Sequence, residues 1–97
     1  MLKMVMIVYN EALDLEIMEI LEFCQARNYT KHMGVYGRGG SSGTHLGNDI
    51  WPGKNNILYV ACPQDQARMI LSQVKKLREK FSREGIKGFI LPLEETT

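Results

Sequence analysis

Cysteine, net charge and long apolar runs are all scarce in this 97-residue chain, and each scarcity closes off a class of function. Its two cysteines, Cys24 and Cys62, lack the spacing of a zinc knuckle or of a Cys-x-x-Cys redox pair. They read as small buried apolar residues, the usual setting of a free thiol. Twelve Lys and Arg against 11 Asp and Glu leave a formal net charge of +1, which gives no electrostatic reason to expect nucleic acid. No apolar run approaches the roughly 20 residues needed to span a bilayer. The opening run, residues 1–9, is too short and too soon followed by acids for a secretory signal. The expectation is a cytoplasmic protein without direct membrane insertion. Catalysis also finds little support, because no serine or cysteine has an evident histidine base and the carboxylates fall mostly on helical faces. The chain is read as a non-enzyme.

Glycine is the residue that is abundant, and it is abundant in one place. Residues 37–56 hold six of the nine glycines, between two short segments that read as strands. Structureless loops beyond about 12 to 15 residues are uncommon in compact domains, and most of them carry function. Around this loop the hydrophobic pattern alternates between two periods. Residues 4–9 form a continuous apolar run of strand length. From Asp14 the apolar positions Ile17, Ile20, Leu21 and Cys24 follow a helical spacing, with Asn10 or Asp14 able to cap the start and Asn28 suited to a left-handed exit. Residues 29–36 and 57–62 read as strands, and Pro63 interrupts the second. Ala67, Ile70, Leu71, Val74, Leu77 and Phe81 then define a second helix ended by Gly85, with a solvated face of cations, before a last strand over 86–93.

The order strand, helix, strand, loop, strand, helix, strand predicts one α+β domain over residues 1–97. Its arrangement is a ferredoxin-like βαββαβ sandwich, with an antiparallel sheet and both helices on one face. The opposite face then lacks a cover. Tyr9, Met6 or Tyr59 would lie on it, depending on register, and an apolar patch of that kind marks an interface between copies of the chain.

The loop has the chemistry of an anion site. Gly37, Gly39, Gly40 and Gly43 let backbone N–H groups turn inward, Ser41, Ser42 and Thr44 add donors, and Arg38 brings charge. It is not a Walker motif, because no Gly-Lys-Ser/Thr follows at the required spacing. Trp51 heads a Trp-Pro-Gly turn and reads equally as a packing anchor or a partner contact. His45 and Asp49 are the loop's candidate metal ligands, without the close pairing of a strong zinc site.

Three stretches carry a resemblance: Val35-Tyr36-Gly37-Arg38-Gly39 before the loop, Val60-Ala61-Cys62-Pro63-Gln64-Asp65 entering the second helix, and the run from Lys87 and Gly88 to Glu95. Over nearly the whole chain they resemble the PII signalling proteins and, more closely, their shorter PII-like relatives. The resemblance implies a homotrimer with sheets lining its centre and an adenine nucleotide, ATP, ADP or AMP, as effector in clefts between subunits. It implies nucleotide contacts at Gly37, Arg38, Gly39, Lys87 and Gly88. It also implies a long loop, the T-loop, that docks on a protein target such as a membrane transporter, here through Ser41, Ser42, Thr44, His45 and Trp51. Gly39 stands where that family carries a glutamine that contacts phosphate and magnesium-bound 2-oxoglutarate. No tyrosine lies in 37–56, so uridylylation of the loop does not carry over. The alternative is a metal-binding accessory protein using His45, Asp49 or Cys62 in an oligomer, similar to the CutA family or linked to heavy-metal efflux.

Overall fold

Alternation in the strands and a 3.6-residue period in the helices produce two layers, seen in a computed structural model that describes residues 1–37 and 54–97. The elements are β1 (Leu2–Asn10), a 3-10 turn (Glu11–Leu13), α1 (Asp14–Phe23), β2 (Thr30–Val35), β3 (Asn55–Pro63), α2 (Gln64–Lys80) and β4 (Ile86–Pro92). The sheet is four-stranded and antiparallel, in the order β2-β3-β1-β4. This is the expected ferredoxin-like α+β arrangement, in which the two strands that lead into helices lie at the centre.

Register decides which residues face the helices. Val5, Ile7 and Tyr9 of β1 lie opposite Val60, Leu58 and Asn56 of β3 and opposite Ile90, Gly88 and Ile86 of β4. With Ile17, Leu21, Ala67, Ile70 and Val74 from the helices they form one buried core. Tyr9 therefore belongs to the covered face and has no exposed surface, whereas Met6 and Tyr59 lie on the open face as expected. The side chain of Tyr9 can be buried because its hydroxyl finds a partner, Asp14, across the start of α1.

Several boundaries differ from the sequence expectation. Asn10 does cap, its side chain accepting from the Ala12 N–H at 2.8 Å, but it caps the 3-10 turn that precedes α1. The left-handed exit from α1 falls on Gln25 (φ 59°) and not on Asn28. Gln66 stabilises that turn by donating its side-chain Nε2 to the carbonyls of Cys24 and Gln25, each at 3.0 Å. The strand after the loop begins at Asn55, two residues early, because Asn55 and Asn56 pair with Asn10 and Tyr9. Pro63 closes β3 opposite Leu2 and sits at the N-cap of α2, where its missing N–H costs nothing. The second helix stops at Lys80, and Gly85 lies beyond the turn that follows. Phe81 ends the helix by leaving helical geometry while its ring packs against the core. Arg68, Lys75, Lys76, Arg78 and Lys80 form the solvated face.

The other sheet face carries Met4, Met6, Val8, Ile57, Tyr59, Ala61, Phe89 and Leu91. Tyr59, Phe89 and Leu91 are 36%, 37% and 41% exposed, so an apolar sheet surface meets water. No helix among the described residues is long and apolar enough to cross a membrane.

Candidate functional site

The two strands that bracket residues 38–53 end in a stem of unusual backbone. β2 loses its register with β3 between His32 and Val35, and Gly34 takes φ 71°, a left-handed conformation that favours glycine. Three residues later, Gly37 lies close under the facing strand: an added Cβ would stand 2.9 Å from Asn55 Nδ2 and would push the end of that side chain aside. On the facing stem, Lys54 Nζ lies 5.9 Å from the centroid of the Tyr36 ring, a cation–π pairing across the loop base. The Lys54 carbonyl accepts from the Glu11 N–H at 2.9 Å, and the Gly85 carbonyl accepts from the Asn10 N–H at 2.9 Å. All of these contacts lie at one end of the sheet.

Lys87 lies at the same end. It is exposed on β4 opposite Val8, on the open face. Gly37 and Lys87 nevertheless belong to opposite edges of the sheet, with β3 and β1 between them, a separation of roughly 14 Å at about 4.8 Å per strand. One chain does not bring them around a single ligand. Gly88, the next residue, faces the other way: an added Cβ would meet Leu71 Cδ1 at 2.8 Å and Val74 Cγ1 at 3.4 Å, so its bare backbone lets α2 approach β4. Any contact it makes with a ligand would be through its backbone.

Arg38, Gly39, Ser41, Ser42, Thr44, His45, Asp49 and Trp51 lie outside the described residues. Among the described residues, no group of three or more His, Cys, Asp and Glu could hold a metal ion. Cys24 and Cys62 are free and buried, and burial pushes both thiols up, away from the reactive thiolate. A recess of about 540 Å³ lies at the far end of the sheet, between residues 1–3 and 92–96, and includes neither Gly37 nor Lys87.

Sequence reasoning did not anticipate a polar cluster under the loop stem. Asp14, the first residue of α1, accepts from Tyr9 Oη at 2.5 Å and from Lys31 Nζ at 2.9 and 3.0 Å, and Asn56 Nδ2 lies 3.3 Å from its Oδ1. Asn56, only 2% exposed, passes the connection on: its Oδ1 accepts from the Gly34 N–H at 3.2 Å. Burial by itself raises the Asp14 carboxyl, but the hydrogen bonds from Tyr9 and Lys31 and the charge of Lys31 outweigh it, so the group stays below its ordinary value and ionised. Burial, reinforced by the bond to Asp14, holds the Tyr9 phenol well above its ordinary range and keeps it a donor. The only sequence signal for this cluster was Asp14 near a helix start, which reads as a cap. Its other partners become visible only once register is known.

In sequence, the chain matches no protein-family model and no curated protein. In structure, it is similar to a PII-like signalling protein of Thermus thermophilus, with a TM-score of 0.66 at 22% identity over 92% of this chain and 82% of that one. It is also similar to CPII of Thiomonas intermedia K12 bound to ADP, AMP and acetate, with a TM-score of 0.72 at 18% identity over 93% and 83% of the two chains. CPII is a nitrogen regulatory PII-like protein, and a further structure of it holds ADP, AMP and bicarbonate, with a TM-score of 0.69 at 16% identity over 92% and 86%. The chain has the fold of these proteins.

Proposed function

We propose that this chain is a PII-like regulatory protein, a homotrimer that binds an adenine nucleotide in clefts between subunits and acts on a protein target through residues 37–56. The observation that carries the reading is an uncovered apolar sheet face with Gly37 and Lys87 at opposite edges of one end of the sheet, positions that would each form half of a site. Packing that face against copies of itself buries the patch and closes each half-site with a neighbour's complement. The likeness in fold to CPII, whose structures hold ADP and AMP, supports adenine nucleotides as the ligand class.

In this reading the backbone at Gly37 and Gly39 lies along the nucleotide. Arg38 and Lys87 pair with phosphate oxygens, and Gly88 contributes through its backbone. Ser41, Ser42, Thr44, His45 and Trp51 contact the target. The protein works in the cytoplasm and has no catalytic role of its own. Among the described residues nothing favours the metal reading: of its ligands, His45 and Asp49 lie outside them, and Cys62 is a buried thiol outside any group of three His, Cys, Asp and Glu.

Thermal melting with ATP, ADP and AMP tests this. A bound effector at about 100 times its Kd stabilises the native state by about 2.7 kcal/mol, a shift of roughly 10 to 20 °C for a chain of this size. Arg38→Ala combined with Lys87→Ala should abolish the shift, and a melting temperature indifferent to all three nucleotides removes the proposal.

A further inference from the structure

The side-chain amide of Asn56 is nearly symmetric in shape but not in chemistry, and its two ends touch groups that demand opposite things. Its nitrogen is aimed at Asp14 Oδ1 at 3.3 Å, and its oxygen receives the Gly34 N–H at 3.2 Å. An ionised carboxylate can only accept, so it selects the NH2 end; the oxygen is thereby directed at Gly34. Turned the other way, the amide of Asn56, itself only 2% exposed, would oppose oxygen to carboxylate and donor to donor, leaving its own buried nitrogen and oxygen without partners. Asp14 is itself fixed by Tyr9 from β1 and Lys31 from β2. The cluster therefore joins three strands and the start of α1 to one backbone N–H.

That N–H belongs to the residue where β2 departs from regular pairing. Gly34 has φ 71° and lies inside the register shift, so the direction in which Val35, Tyr36 and Gly37 leave the sheet depends on how this turn is held. We infer that Asp14 is a positioning residue for the loop stem: its carboxylate orients the Asn56 amide, which fixes the turn at Gly34 and so the placement of Gly37. The effect on the backbone stands on the geometry alone. Its consequence for ligand affinity rests on the nucleotide reading above.

Amide hydrogen exchange on the assembled protein tests the inference. Asp14→Asn keeps the shape but removes the acceptor-only group, and should speed exchange at Gly34 about 10-fold relative to Val5 and Ile7, whose amides report global opening. Lys31→Met leaves the carboxylate but removes its charge support, and should speed Gly34 about 3-fold on the same scale. This second variant decides the matter if the first does not fold. A Gly34 rate that keeps its wild-type ratio to Val5 and Ile7 overturns the inference. ADP titration of the same variants provides a separate readout, with weaker binding expected for Asp14→Asn. If the wild type itself ignores ADP, the nucleotide reading fails and exchange at Gly34 still judges the role of Asp14.

Discussion

Tyr9 donates its phenol to Asp14 Oδ1 across 2.5 Å, joining a core residue of β1 to the first residue of α1. Burial, reinforced by this bond, raises the phenol, whereas at the carboxyl the bonds from Tyr9 and Lys31 outweigh burial and lower it, so each group contributes to stability over a different pH range. The Asp14 carboxyl lies below its ordinary value of 3.8 when folded. Its stabilisation is complete above that value and is lost as pH falls through the folded one. The Tyr9 phenol lies above its ordinary value of 10.0 when folded, so its contribution is complete below that value and is lost as pH rises toward the folded one. Urea unfolding across pH should show Asp14→Asn destabilised at pH 7, with the gap to wild type narrowing in acid. Tyr9→Phe should remove part of the alkaline decline. A gap for Asp14→Asn that stays constant from neutral to acid pH would mean that the carboxylate is not held in its charged form.

Two glycines separated by three positions should respond differently to the same change. At Gly88 an added Cβ reaches 2.8 Å from Leu71 Cδ1, whereas at Gly85 it meets nothing within 4 Å. Gly88→Ala must push the end of the Leu71 side chain and should cost about 1 kcal/mol or more. Gly85→Ala should fall within about 0.5 kcal/mol of wild type. Denaturant midpoints measured at unchanged slope check both.

The open face offers a direct test of assembly. Met6 lies between Tyr59 on β3 and Phe89 on β4. If copies pack through this face as proposed, a charge placed there, Met6→Lys, should convert the assembly to monomers in sedimentation while circular dichroism remains that of the folded chain. Burying an unpaired charge at an apolar interface costs far more than exposing it. A trimer that survives Met6→Lys would place the interface elsewhere.

Periodicity revealed the layers of this fold but not its polar joints. The apolar run of β1 and the helical spacing in α2 were legible because burial on one face imposes a period. The face occupied by Tyr9 was not, since a continuous apolar run has no phase and only pairing with Asn56 and Ile86 sets it. Asn55 and Asn56 fall within the 37–56 loop by sequence pattern, yet both are strand residues, because pairing with Asn10 and Tyr9 overrides the low strand preference of asparagine. Gln25 takes the left-handed exit instead of Asn28 because the α1 turn closes there, with Gln66 holding its carbonyl. Of the candidate site, Gly37 is expected both from the glycine-rich loop and from the resemblance, and Lys87 from the resemblance alone. Their separation to opposite edges of the sheet depends on strand order, which no local pattern carries.

The central claim, a nucleotide held between neighbouring subunits, is tested most directly by calorimetric titration of ADP into the wild type and into Lys87→Ala. Saturable binding at one site per subunit, weakened at least 10-fold by removal of the Lys87 charge, is the expected result, since a charge-assisted bond to phosphate contributes about 1.5 to 3 kcal/mol. No heat with wild type, or identical isotherms for the two proteins, would contradict it.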